Sequence, residues 1–303
     1  GLTDGGGAHH LEHRARLVAK ARAADVVVGH GSSALIHGTI AAQATGRPFL
    51  YRNIGDPAAW NQVRFPDERI GRWLRSATAV VSLYQGASDF LTKTYRVDPS
   101  RSEVIPNAVP AGTAVSQHDR AALRRELGLH GFRHWVLLMG ALSAEKRPLT
   151  AIRAVSSIPD VGLVLAGSGP EESQCRQLAA ELTSEQVRFL GVTSAPQRVL
   201  AAVDALVLPS RTEGVPAVAI EAGLAGLPVV ASRVGGVPAV VKDGLTGLLI
   251  DDPSPAQFAR AIVEALGRKD ELGSAAAIRC RRLFTFDSVA PQWASLINRV
   301  LPS

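Results

Sequence analysis

The stretch Ala205-Leu-Val-Leu-Pro-Ser-Arg-Thr-Glu213-Gly214-Val215-Pro216-Ala-Val-Ala-Ile-Glu221-Ala-Gly-Leu-Ala-Gly-Leu-Pro228-Val-Val-Ala231 decides how this chain is read. Its first four residues form an apolar run of strand length, and Pro216 suits the first turn of a following helix, where a missing N–H costs little. That helix carries Glu221, and Pro228-Val-Val-Ala231 has the character of the next strand. Glu213 is thereby left on the loop between strand and helix. The N–H groups around Gly214 to Ala217 and the positive end of the helix dipole make this loop a ready anion site. A carboxylate repels a bound phosphate, so Glu213 and Glu221 suit hydrogen bonds from neutral hydroxyls, such as those of a sugar or ribose. A plainer reading is equally open at this point: one acid that stabilises a helix dipole and another that is merely solvated.

The same strand and helix rhythm extends in both directions. Toward the N-terminus, Asp25–Gly29, Pro48–Tyr51 and Ala79–Leu83 have strand character, with helical patterns over Ala34–Thr45, Glu68–Ala77 and Gly86–Thr94. Alternation of this kind implies a parallel sheet covered by helices on both faces. The breakers in Pro106-Asn-Ala-Val-Pro110-Ala-Gly112 mark a linker. A second set follows, with strands at Trp135–Met139, Gly162–Ala166, Val187–Leu190, Ala205–Leu208, Pro228–Ala231 and Gly247–Ile250. A chain of 303 residues exceeds what one core usually covers, so the expectation is α/β with two Rossmann-like doubly wound domains, 1–112 and 113–303. In such sheets ligands bind beyond the carboxyl ends of the strands. The loops after Met139, Ala166, Leu190 and Leu208 are therefore expected to face one crevice.

Composition excludes several classes. With 46% hydrophobic and 20% charged residues the chain is globular, and its apolar runs fall far short of the ~20 residues a membrane-spanning helix needs. No basic, apolar and cleavage pattern of an export signal stands at the start, and Cys175 and Cys280 lack metal or redox spacing, which together suggest a cytoplasmic protein with reduced thiols. The net charge of +6 comes mostly from scattered arginines, and aromatics are only 5%, which argues against nucleic acid. Peripheral attraction to an anionic membrane fits the charge better.

Chemistry-bearing residues collect in the loops. Gly140-Ala-Leu-Ser-Ala-Glu-Lys146-Arg147-Pro148 sets two cations where a diphosphate could be paired, although Lys146 alone has the look of a solvated loop lysine. Gly167-Ser168-Gly169-Pro170 lacks the third glycine and the later acid of a dinucleotide fingerprint, yet its glycines imply close backbone approach to something. His30 ends a strand on the crevice side. His9, His10 and His13 have helical spacing but are taken as solvated, so no metal site is expected. Trp60 and Trp73 suit packing better than sugar stacking.

Taken together, Val80–Ala108, Val136–Pro148, Leu163–Pro170 and nearly all of Val187–Asp252 resemble the family 4 glycosyltransferases, retaining enzymes of the two-domain glycosyltransferase B fold. The most specific element is the Glu-x7-Glu pair, Glu213 and Glu221, in Leu208-Pro-Ser-Arg-Thr-Glu-Gly-Val-Pro216. Gly226-Leu-Pro-Val-Val-Ala-Ser, Gly235-Gly-Val-Pro and Gly244-Leu-Thr-Gly-Leu-Leu continue it. The resemblance implies a metal-independent transferase with no cofactor, whose nucleotide-diphosphate sugar is a substrate and whose acceptor is a glycan, lipid-linked or small-molecule hydroxyl. It assigns Glu213 to the donor sugar, Glu221 to the ribose, and Lys146, with the Gly214, Val215 and Pro216 segment, to the leaving diphosphate. Arg147, Gly167, Ser168 and Val192 would complete the donor site, and the closing segment, about 286–303, would brace the N-terminal, acceptor-side domain. A sugar-nucleotide-binding module without activity and an epimerase of the same architecture stand as alternatives.

This sequence departs from the family pattern in three places. Ala141 stands where an arginine is usual, with Arg147 or Arg211 as replacements. Ile54 stands where a histidine is common, leaving Asn53, Asp56 and His30 as acceptor-side candidates. Only about 110 residues precede the linker, so the N-terminal domain is expected to lack its opening βα units and part of its acceptor site.

Overall fold

A computed structural model of the chain describes residues 7–58, 67–111, 117–182, 185–251 and 253–301, with only the backbone described for 7–13, 67, 117 and 118. Trp60 and the side chains of His9, His10 and His13 thus lie outside the described residues. The chain divides into two compact units, Gly1–Asn107 with Val289–Ser303, and Ala108–Ser288.

The first unit holds α1 (Gly7–Arg22), β1 (Val27–His30), α2 (Ser32–Thr45), β2 (Phe49–Asn53), α3 (Asp67–Ser76), β3 (Ala79–Ser82), α4 (Gln85–Tyr95) and β4 (Ser102–Val104). Its four strands run parallel in the order β1-β2-β3-β4, each joined to the next through a helix or helical turn. Phe49, Tyr51, Leu74, Val80 and Leu91 fill its core, and Trp73 packs against them rather than standing free.

The second unit contains α5 (Gln117–Glu126), β5 (His134–Met139), α6 (Pro148–Val155), β6 (Val161–Ala166), α7 (Glu172–Leu182), β7 (Val187–Gly191), α8 (Pro196–Ala202), β8 (Ala205–Leu208), α9 (Ala217–Leu224), β9 (Val229–Ser232), α10 (Val237–Val240), β10 (Gly247–Ile250), α11 (Pro255–Gly267) and α12 (Lys269–Leu283). The last helix, α13 (Phe286–Val300), runs across the boundary and lies mainly in the first unit. The six strands are parallel in the order β10-β9-β8-β5-β6-β7. β6, β8, β9 and β10 are buried along their whole length, which is why they read as unbroken apolar runs rather than alternating ones.

The order matters for function. From β5 the chain winds outward through β6 and β7, then returns to the other side of β5 and winds outward through β8, β9 and β10. The reversal leaves a crevice beyond the carboxyl ends of β5 and β8, the position where doubly wound sheets hold ligands. One detail differs from the sequence reading and another is made specific. Pro216 is not inside the first turn of α9 but caps it in an extended conformation, φ −70° and ψ 116°. The glycines of Gly167-Ser-Gly169 are explained by a neighbouring loop: a Cβ on Gly167 would lie 1.9 Å from the Gly140 carbonyl oxygen, and one on Gly169 would lie 2.4 Å from that of Leu142. The approached group is protein backbone.

Candidate functional site

Two loops build the site at the switch point. The first, Gly140–Arg147, leaves β5 and ends at α6; the Lys146 and Arg147 amides both donate to the Ser143 carbonyl at 3.0 Å. Arg147 adopts the left-handed conformation (φ 53°) to enter the helix, so Lys146 stands at the tip of this turn. The second loop, Pro209–Pro216, leaves β8. The Arg211 amide donates to the Glu145 carbonyl at 2.8 Å, which fixes one loop against the other.

The side chains meet where the loops do. Lys146 Nζ lies 2.8 Å from Glu213 Oε1, and Ser210 Oγ donates to the same oxygen at 2.6 Å. Glu213 and Ser210 are both buried. The Glu213 main chain is held as well, because the Gly236 amide donates to its carbonyl at 3.2 Å. Gly235, at φ 48°, allows that contact: any Cβ there would lie 1.9 Å from the same carbonyl oxygen. A cavity of about 220 Å³ opens beside the pair, lined by Gly140, Lys146, Ser210, Glu213, Pro216 and Ala217 among others.

α9 points its amino end into this region. Pro216 offers no side-chain cap, and the Ala217 and Val218 amides find no acceptor among the described residues. Those two donors and the helix dipole favour an anion. Glu221, one turn on, is half-buried without a hydrogen-bond or ion-pair partner among the described residues, and burial raises its carboxyl above the usual range.

Of the residues singled out from sequence, Lys146, Glu213 and Pro216 share this cavity, with Gly214 and Val215 in the connecting turn and Glu221 on the helix that follows. Arg147, Gly167, Ser168 and Val192 are not among its lining residues; Val192 is 78% exposed after β7. Gly235 and Gly236 stand in the sequence only as a motif element with no site role, and Ser210 has none either. The only signal for Ser210 is its position three residues before Glu213.

The acceptor-side candidates belong to the other unit and lie at the carboxyl ends of its strands. His30 ends β1 exposed, its imidazole made less basic by partial burial and by the charge of Arg52. Asn53 is buried at the end of β2 and donates to the Gly55 carbonyl at 3.1 Å. Asp56 accepts from the Ala58 amide at 3.0 Å and the Tyr84 hydroxyl at 3.2 Å. Ile54, between Asn53 and Asp56, is 47% exposed.

Residues 119–277, slightly more than half of the chain, match the family model described as glycosyl transferases group 1. The chain belongs to this family. Among curated relatives, the D-inositol 3-phosphate glycosyltransferase of Mycobacterium sp. (strain KMS) is 38% identical over 187 residues, 59% of this chain and 42% of that protein. The enzyme of the same name from Mycolicibacterium vanbaalenii is 31% identical over 271 residues, 84% of this chain and 56% of the relative. The chain thus spans about half the length of the curated relatives it matches. In fold it is similar to Anabaena HepE, solved in complex with UDP and glucose, with a TM-score of 0.85 at 24% identity over 94% of this chain and 80% of that one. A glycosyltransferase from Rickettsia africae gives a TM-score of 0.85 at 15% identity, covering 100% and 84%. The glycosyltransferase B architecture with two Rossmann-like domains is therefore the fold of this family member. No described helix is long and apolar enough to cross a membrane.

Proposed function

We propose that the second unit binds a nucleotide-diphosphate sugar, and that the protein moves its sugar to a hydroxyl acceptor with retention of anomeric configuration and no metal. The observation that carries this reading is the Lys146–Glu213 pair at the β5/β8 switch point, next to two unsatisfied helix amides. Lys146 and the α9 amides would neutralise the charge growing on the departing diphosphate, the place where fixed donors lower a barrier most. Glu213 would accept from hydroxyls of the sugar. Glu221, unpartnered and half-buried, would accept from the ribose and thereby recover the ionised form that burial disfavours.

The transfer balances without a cofactor. The bond from the anomeric carbon to the diphosphate oxygen breaks as the acceptor oxygen bonds to the same face, and the acceptor proton passes to the diphosphate. HepE was solved with UDP and glucose and with UDP-glucose, and the relatives carry a transferase name; both support a nucleotide-sugar donor here. The acceptor is a glycan, lipid-linked or small-molecule hydroxyl in glycan biosynthesis. A cytoplasmic place, at times against anionic lipid, suits the 14 basic against 9 acidic residues of the first unit.

The test is a thermal-shift panel of UDP, ADP, GDP and their sugar conjugates, since a ligand stabilises by RT ln(1 + [L]/Kd). One base should raise the melting temperature, and Lys146→Ala combined with Glu221→Ala should abolish the rise. Absence of any shift, or an undiminished one in that double variant, removes the donor site. Sugar transfer or donor hydrolysis should survive chelation with EDTA and be lost in Glu213→Ala.

A further inference from the structure

We infer that Ser210 is a positioning residue, which holds Glu213 so that one carboxylate oxygen is reserved for the donor sugar. The inference rests on the nucleotide-sugar reading of the site. Glu213 Oε1 accepts from Ser210 Oγ at 2.6 Å and from Lys146 Nζ at 2.8 Å, which fills its two acceptor positions. Oε2 has no partner among the described residues. Ser210 is 1% exposed, so its hydroxyl has no water to turn to and is committed to the carboxylate. The Glu213 backbone is pinned independently by the Gly236 amide and the close approach of Gly235.

The two partners on Oε1 differ in what a ligand does to them. Lys146 is a long, partly exposed side chain, and a diphosphate arriving beside it competes for its ammonium group. Ser210 is short, buried and neutral, and a phosphate does not draw it away. When Lys146 turns to the diphosphate, Ser210 alone keeps Oε1 satisfied and the carboxylate plane fixed, with Oε2 directed to a sugar hydroxyl. Loss of the Ser210 hydroxyl should therefore be felt when the sugar is present, and not by the nucleotide alone.

The experiment uses the full chain and the nucleoside diphosphate, with its sugar conjugate, that bind in the panel above; UDP and UDP-glucose are the first pair. Ser210→Thr and Ser210→Val are similar in size and differ in the hydroxyl. Calorimetric titration should give a nucleoside diphosphate Kd within about twofold of wild type in both. The Kd of the sugar conjugate should rise about tenfold in Ser210→Val and be restored in Ser210→Thr. Where transfer is measured, kcat should fall in the Val variant with the nucleotide's inhibition constant unchanged. Combined with Glu213→Gln, Ser210→Val should add little, because the two act as one unit.

Equal weakening of nucleotide and sugar conjugate, or full multiplication of the two single effects, overturns the role given to Ser210. A Glu213→Gln variant that binds the sugar conjugate as wild type overturns the donor reading itself, and so does failure of every nucleotide in the panel. Should Ser210→Val not fold, Ser210→Ala poses the same question, and preserved sugar binding in it overturns the inference.

Discussion

Strand β8 carries a buried carboxylate near each end, and the two are built in opposite ways. Asp204, immediately before the strand, is 3% exposed; Glu213, five residues after it, is 8% exposed. Burial alone does not separate them. Asp204 Oδ2 accepts from Arg124 at 2.6 Å and from the Trp135 amide at 2.9 Å, while Oδ1 accepts from Arg120 at 2.8 Å and Lys269 at 3.2 Å. Both oxygens are full. Glu213 has one full oxygen and one open. A depression of about 1070 Å³ surrounds Asp204, several times the cavity beside Glu213, yet it lies at the amino ends of the strands and its charges are largely spent on one another. A saturated carboxylate ties elements together, whereas a half-saturated one leaves an acceptor oxygen open. The size of the hollow does not decide between them.

The largest effect that tests this contrast is on stability. Asp204→Ala strands three cations that had shared one carboxylate and frees the Trp135 amide, so the loss should be about 3 kcal/mol or more. In thermal unfolding that is a fall of roughly 10 °C. Nucleotide affinity below the transition should stay at the wild-type value, and a weakened affinity would break the separation of the two ends. Next in size is Gly235→Ala. It forces a side chain into the left-handed region against the Glu213 carbonyl and should cost about 1–3 kcal/mol together with a loss of transfer activity. If stability falls and kcat does not, Glu213 need not be held as closely as the structure holds it.

Acid acts directly on Asp204. Burial pushes the Asp204 carboxyl up, but the Trp135 amide and the charges of Arg124, Arg120 and Lys269 outweigh it and hold the group below its ordinary range. A depressed folded value means the stabilisation is complete above the unfolded carboxyl pKa, near 3.9, and is lost as pH falls through the folded value. Stability should therefore drop more steeply below about pH 4 in the wild type than in Asp204→Asn, as read by unfolding at a series of pH values.

How much of this was legible follows from the range of each interaction. Parallel strands buried on both faces announce themselves as apolar runs, and Pro106 to Gly112 stood out as breakers, so the two sheets could be read. α11 was missed although Ser254 and Pro255 form a usable start signal, the Ser254 hydroxyl accepting from the Gln257 amide. α12 offered less: it packs on α9 through small residues, with Gly273 against the Gly226 carbonyl and Cys280 against Gly223, a pattern that hydrophobic periodicity does not detect. In the site, Lys146 and Glu213 were legible as residue types at loop positions. Ser210 was not, because its bond to Glu213 depends on how the loop turns. Asp204 was invisible for another reason, since its partners lie 65 to 84 residues away along the chain.

Glu221 supplies the smallest effect and the most pointed one, because its sign is opposite to that of Asp204. Its carboxyl is raised by burial, and no partner among the described residues offsets the cost. A raised folded value means the protonated acid is the favoured form in the native state. Ionisation then withdraws stability as pH rises from the unfolded value, near 4.3, through the folded one. At pH 7 the empty protein bears that penalty. Glu221→Gln keeps the shape and removes the charge, so it should melt at a higher temperature than wild type, by about 1–3 °C for a unit of this size. Nucleotide affinity should fall about tenfold in the same variant, as expected for loss of a charged hydrogen bond to a ribose hydroxyl. Stability gained where binding is lost marks a group kept for its ligand. Were Glu221→Gln to melt lower and bind as before, Glu221 would belong with Asp204 among the structural carboxylates.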